Sequence, residues 1–184
     1  MRTRGIACNY YDCYGVVYNR LRSLRLNLKA MTITFSTLTL ILPACIMLHV
    51  TEEFLFPGGF IAWYQELVPS KAAGVRPGYL VWINTLMIGV CVLPVALGET
   101  PHGIGVLYTV AAIAGINAGF HIIGVFKLKK YSPGVVTGVL LYLPLFIYGT
   151  WYLLSSGDLS IAKLVIDLAI AIGYHLFSVY RQGK

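Results

Sequence analysis

His49, Glu52 and Glu53 set one imidazole beside two adjacent carboxylates at the end of an apolar run, and Asn117 with His121 adds a second polar pair at i and i+4. Ionisable groups in apolar surroundings are unfavourable unless they have work to do, so they mark a site. At about 100° per residue, a helix that persists through Glu53 places His49, Glu52 and Glu53 within an arc of about 100°. The i, i+4 spacing likewise puts Asn117 and His121 on one helix face. Two histidines from separate helices with a carboxylate make a ligand set for zinc or non-haem iron, so the expected metal ligands are His49, Glu53 and His121. Glu52, Glu53 and Asn117 are the expected catalytic groups, the second carboxylate being placed to act as a base toward a metal-held water. Without a metal, the same carboxyl and imidazole pair suits acid–base isomerisation of a lipid alkene. A proton relay in a carrier draws on these residue types too.

The elements that position these groups follow from composition. Of 184 residues, 58% are hydrophobic and only 11% are charged, outside the balance of a soluble domain. Five apolar stretches, 31–50, 79–98, 103–126, 134–155 and 160–178, are long enough to cross a hydrocarbon core of about 30 Å at about 1.5 Å per residue. Within them the only lysine or arginine is Lys163, near a span end where it can reach the interface. The alternation a β-barrel needs is missing, so the expected fold is all-α, a polytopic transmembrane helix bundle forming one domain over 31–184. Residues 1–30, with Arg2, Arg4, Arg20, Arg22, Arg25 and Lys29, are expected to be a basic disordered tail or an extension upstream of a start at Met31. Cys8, Cys13, Cys45 and Cys91 suggest neither a zinc finger nor a disulfide.

If each span crosses once, chain direction gives depth. His49, Glu52 and Glu53 end the first span, Asn84 starts the second, Asn117 and His121 lie late in the third, and His175 lies late in the fifth. All fall on one side of the membrane, which independent placement would not produce. Asn84, Tyr131, Thr137 and His175 are therefore expected in a shell around the ligands. Asp167, mid-span, is expected to face the bundle, and His102 falls at the opposite end. Pro57-Gly58-Gly59 should stop the first helix, and Phe60 to Tyr64 has the aromatic character of an interfacial cover over the site.

Three motifs occur in order: His49-Val50-Thr51-Glu52-Glu53, Asn117-Ala118-Gly119-Phe120-His121 and Tyr131-Ser132-Pro133-Gly134-Val135-Val136-Thr137. They resemble the HxxEE, NxxxH and YxPGxxT motifs of the HXXEE-domain family, over roughly residues 35–178. That resemblance implies a small integral membrane protein and singles out the motif residues, without implying a reaction. Physically, Pro133 suits the first turn of a helix, Gly134 permits close packing, and Thr137 would face inward one turn later.

The expected function is that of a metal-dependent enzyme, hydrolase or oxidoreductase, on a lipophilic substrate, with a divalent zinc or iron ion as cofactor. A metal-free lipid isomerase, a proton-coupled transporter and a non-catalytic binding or structural membrane protein are the alternatives. Transport fits less well because no internal repeat is visible. Membrane lipids are the expected partners. The net charge of +7 is spread over loops and tail rather than gathered in a groove, so nucleic acid is not an expected partner. The expected location is the plasma (inner) membrane of a prokaryote. Lys71, Arg76, Lys127, Lys129, Lys130, Arg181 and Lys184 fall on the site side, against Lys163 and the six basic residues of 1–30 on the other. With a start at Met31 the excess lies on the site side, which then faces the cytoplasm. A cysteine introduced by Lys129→Cys should accordingly resist a membrane-impermeant thiol reagent in intact cells; labelling from outside reverses the orientation.

Overall fold

The computed structural model describes residues 33–181, apart from the side chains of residues 71–73, and the expected tail at 1–30 lies outside the described residues. The helices are α1 (Phe35–Phe54), α2 (Phe60–Leu67), α3 (Pro77–Leu97), α4 (Pro101–Leu128), α5 (Val135–Ser156) and α6 (Ile161–Arg181). All but the short α2 are long and apolar enough to cross a membrane. Among the described residues there is no strand, and the protein is an all-α integral membrane bundle.

Helix boundaries follow local chemistry. The helix of α1 runs to Phe54, a turn past the expected span end at residue 50 and up to the Pro57-Gly58-Gly59 stop, so the HxxEE segment is helical throughout. It stops there because Pro57 restricts the residue before it and Gly58, at φ +71°, turns the chain so that its N–H reaches the Glu52 carbonyl at 3.0 Å. Thr100 caps α4 by accepting from the Gly103 N–H at 3.2 Å, and Pro101 occupies the first turn. A Cβ on Gly103 would meet the Gly98 carbonyl oxygen at 2.0 Å, so the sharp α3–α4 reversal requires glycine there. The expected fourth span is not a uniform helix. A π turn over Gly138–Tyr142 interrupts α5, with the Leu143 N–H reaching back to the Gly138 carbonyl.

The centre of the bundle is α4, which packs against each of the other helices. Small residues permit this: Ala111, Ala112, Ala114, Gly115 and Ala118 are all buried. A Cβ on Gly115 would lie 2.7 Å from the Phe146 ring, so α5 approaches α4 through a missing side chain. By contrast, α3, α5 and α6 expose Trp82, Val92, Ile147, Trp151, Ile166 and Leu176, the outward apolar surface that hydrocarbon solvates. The one mid-span charge is matched inside the bundle: Asp167 is fully buried, accepts from Thr109 Oγ1 at 3.0 Å and pairs with the Lys163 ammonium.

Between α1 and α3 the chain folds back as α2, burying Phe60, Trp63, Tyr64 and Leu67 against Leu80. Lys127 ties this segment down by donating to the Leu67 carbonyl at 2.9 Å. Trp63 fits only because residue 124 is glycine, where a Cβ would lie 2.1 Å from the indole Cζ2. Gly124→Ala should therefore lower stability by about 1–3 kcal/mol, the usual effect of overpacking. In a background with Trp82→Phe and Trp151→Phe, the remaining tryptophan emission should shift to the red as Trp63 leaves its slot. An unchanged melting point and spectrum would show that the slot is not closed as described.

Candidate metal centre

The end of α1 and the last third of α4 place the two histidines edge to face. Their ring centroids are 5.1 Å apart at an interplanar angle of 72°. Glu53 lies between them: its Oε1 is 3.3 Å from His49 Nε2 and 3.0 Å from His121 Nε2. One ligand atom from each of the three residues falls within 4.8 Å of the others, and all three residues are buried. Neither Nε2 makes a hydrogen bond of acceptable geometry. Two orphaned imidazole nitrogens facing one carboxylate oxygen form a group that could hold a metal ion.

The other nitrogen of each ring is anchored. His49 Nδ1 lies 2.8 Å from Thr137 Oγ1, and His121 Nδ1 lies 2.9 Å from Ser132 Oγ. The Thr137 hydroxyl has one proton, which it gives to Glu52 Oε2 at 2.5 Å, so it can only accept from His49 Nδ1–H. That leaves the lone pair of neutral His49 on Nε2, pointing at Glu53. An outer nitrogen held by hydrogen bonding while the inner one faces the ion is the arrangement that orients histidine ligands.

Gly134 shapes the gap. With φ +98° it occupies backbone space that suits glycine, and a Cβ there would lie 2.8 Å from His49 Cε1 and 2.9 Å from His121 Cε1. Any side chain at this position would enter the space between the imidazoles. Aromatic rings close the remaining sides: Tyr142 packs on His49 at 4.4 Å, and Trp63 stacks on His121 at 5.4 Å. The aromatic segment expected as a cover thus lies directly on a site histidine.

Glu52 occupies a different place from its neighbour. Its Oε1 accepts from Tyr131 Oη at 2.5 Å and from the Val136 N–H at 3.0 Å, and its Oε2 accepts from the Thr137 N–H at 2.7 Å and the Thr137 hydroxyl. Both oxygens are therefore engaged at the first turn of α5, where unpaired backbone N–H groups favour an anion. Desolvation and the adjoining Glu52 carboxylate hold the Tyr131 phenol above its usual pKa. Of the residues expected around the ligands, Thr137 touches His49 directly, and Tyr131 reaches it only through Glu52 and Thr137.

Asn84, Asn117 and His175 gather beside Glu53, lining with Tyr174 a small chamber whose two lobes measure about 70 and 40 Å³, the smaller also lined by His49 and Tyr142. Asn84 Nδ2 donates to the Leu80 carbonyl at 2.9 Å, and His175 Nε2 lies 3.1 Å from the Ile113 carbonyl. Asn117 Oδ1 is buried without a partner. His102 lies away from this group, on the cleft beside Lys163. Sequence reasoning did not single out Ser132, Tyr142 or Tyr174, and it named Trp63 only within the aromatic cover. Ser132 falls at an open position inside the third motif, and Tyr174 adjoins His175. Nothing in helical periodicity announces the π turn that delivers Tyr142.

Glu52→Gln should destabilise the bundle by about 2–3 kcal/mol, because an amide NH₂ then faces donors where a charged acceptor stood. Thr85→Val, whose exposed hydroxyl bonds only the Val81 carbonyl of its own helix, should change stability by less than about 0.5 kcal/mol. Equal effects in thermal unfolding of the detergent-solubilised protein would remove the special place of Glu52.

No curated protein and no solved structure matches the chain. Residues 40–149 match the family described as protein of unknown function with HXXEE motif. That match spans more than half of the chain and contains all three residues of the buried His49, Glu53 and His121 group, so the chain belongs to the HXXEE family.

Proposed function

We propose that His49, Glu53 and His121 bind a divalent zinc or iron ion and that the protein is a membrane-embedded, metal-dependent enzyme acting on a lipophilic substrate. One observation carries this reading: both Nε2 atoms converge on Glu53 Oε1 without hydrogen-bond partners, while both Nδ1 atoms are held by hydroxyls. A structural zinc site is normally closed by a full set of protein ligands, whereas two histidines and a carboxylate leave positions open for water or substrate. When bound, such an ion would polarise a substrate oxygen or activate a water.

The residues divide the work around that ion. His49, His121 and Glu53 supply ligand atoms, and Thr137 and Ser132 fix the imidazole orientations. Glu52 is a positioning residue, since both of its oxygens are committed to α5 and Tyr131. Asn117, with Oδ1 free in the chamber, is placed to orient a substrate group. Trp63 and Phe60 keep bulk water from the His121 side. The lysines and arginines bordering this end of the bundle, Arg76, Lys127, Lys129, Lys130 and Arg181 among them, support a site opening toward the cytoplasm.

Elemental analysis of the detergent-purified protein tests the reading. A divalent metal should copurify in equimolar amount and be absent from His121→Ala and Glu53→Gln. Thr137→Val should weaken binding by about 10–100-fold, as loss of an orienting partner does, and Thr137→Ser should restore it. Wild-type protein with no more metal than His121→Ala, even after incubation with zinc or iron(II), would overturn the metal reading in favour of metal-free acid–base chemistry.

A further inference from the structure

Both α3 and α6 lean on α4, and between them lies a cleft of about 470 Å³. Its walls are apolar, with Leu86, Met87 and Val90 from α3 facing Val106 and Val110 on α4. The cleft adjoins the chamber beside Glu53, because Met87, Val110, Ile113 and Tyr174 line both. Along α6 it runs from Lys163 to Tyr174, a rise of about 16 Å. A long, narrow apolar cleft that ends on a small polar chamber has the shape of a site for one hydrocarbon chain with a polar end.

The charges say what kind of polar end. Among the described residues lining the chamber there is no lysine or arginine, and Glu53 contributes a carboxylate. In the ion-free chamber an anionic headgroup would meet that carboxylate without a cation to offset it. At the far end of the cleft Lys163 is already paired with Asp167, so it offers little to an anion there. Besides Nε2 of the ligand His49, two buried polar atoms of the chamber lack partners: Asn117 Oδ1, which can only accept, and the Tyr64 hydroxyl, on a residue 1% exposed, which can donate. Buried polar groups call for partners, and a group that both donates and accepts would satisfy the two together.

We infer that the cleft cradles the hydrocarbon chain of an uncharged lipid whose hydroxyl or amide sits in the Glu53 chamber between Asn117 and Tyr64. This inference names a substrate class for the centre proposed above and rests on that reading for its chemistry, though not for binding. The chain enters laterally from the bilayer between α3 and α6, and its polar end comes to rest beside Glu53.

Photolabelling of the full-length protein in nanodiscs, as purified and after a chelator, tests this with a diazirine-bearing hexadecanol and the same diazirine on hexadecanoic acid, the preference being read on the chelated sample and metal content on the purified one. The alcohol should label cleft peptides of α3 and α4 at least about five-fold more than the acid, the worth of about one net hydrogen bond. Leu86→Trp and Val106→Trp, which fill the cleft from two helices, should each cut alcohol labelling by a similar factor and leave metal content unchanged. Asn117→Leu should bring alcohol labelling down to the level of the acid. Equal labelling by acid and alcohol, or no reduction in either tryptophan variant, would show a groove filled by bulk lipid and overturn the inference. Metal content measured on the same preparations keeps the two readings apart. Alcohol preference without metal sustains the cleft and removes the metal centre, and metal without alcohol preference does the reverse.

Discussion

A carboxylate inside a bundle that lies in hydrocarbon has no water to solvate it and must find its donors in the protein. Glu52 finds them at the first turn of α5, where two backbone N–H groups and the Thr137 hydroxyl converge on it and Tyr131 closes the set. The bond network does more than satisfy a charge. It fixes the start of α5 against the end of α1, and in doing so sets Gly134 between the imidazoles. The proton it draws from Thr137 fixes the tautomer of neutral His49, and therefore which nitrogen faces Glu53. Adjacent glutamates on one helix thus take unlike roles: one holds the frame, and the other faces the histidines.

The frame also depends on what α4 lacks. Helices in lipid gain little from burying apolar surface against each other, because the surrounding tails are as apolar as the side chains, so close approach must come from packing. Gly115 admits Phe146 of α5, Gly124 admits Trp63 of α2, and Ala118 lies against Gly138 at the π turn. The last two flank His121, on the helix that carries it. Removing side chains from α4 therefore lets α2 and α5 close on the same histidine from two directions. The π turn follows the same logic: an extra residue in the turn redirects the face of α5, and Tyr142 lands on His49 at 4.4 Å.

Much of this was legible from residue type and order. Spans of apolar residues near 20 long carry their own evidence, since no other structure satisfies backbone groups in hydrocarbon. Likewise His49, Glu53 and His121 could be brought together by depth and helix face alone. The first helix carries the whole HxxEE motif, because glutamate is a good helix former and the stop comes, as the residues themselves indicate, from Pro57 and Gly58. Less visible was the separation of Glu52 from Glu53. Adjacent residues on a helix diverge by about 100°, and which neighbour each meets is decided by α5, more than eighty residues along the chain. Ser132 and Tyr142 were silent for a related reason. Their significance lies in what they touch across the bundle, and a hydroxyl or phenol near a helix start has many ordinary uses.

The two sides of Glu53 explain why a site of this kind sits so deep. On one side its Oε1 meets two imidazoles under a roof of Trp63 and Phe60; on the other it borders a chamber lined by Asn84, Asn117 and His175. Water is excluded from the first side by aromatic packing, so electrostatic interactions there are stronger than at a surface. On the proposed function the second side is where a substrate would arrive. α2 covers the His121 side at the membrane end, while α3 and α6 part along the bilayer and leave the apolar cleft of about 470 Å³. On the function proposed above, a water-soluble molecule would have to pass the aromatic cover, whereas a bilayer lipid would meet the cleft directly. The lipid inferred here would thus be selected by the phase in which it dissolves before any hydrogen bond is made.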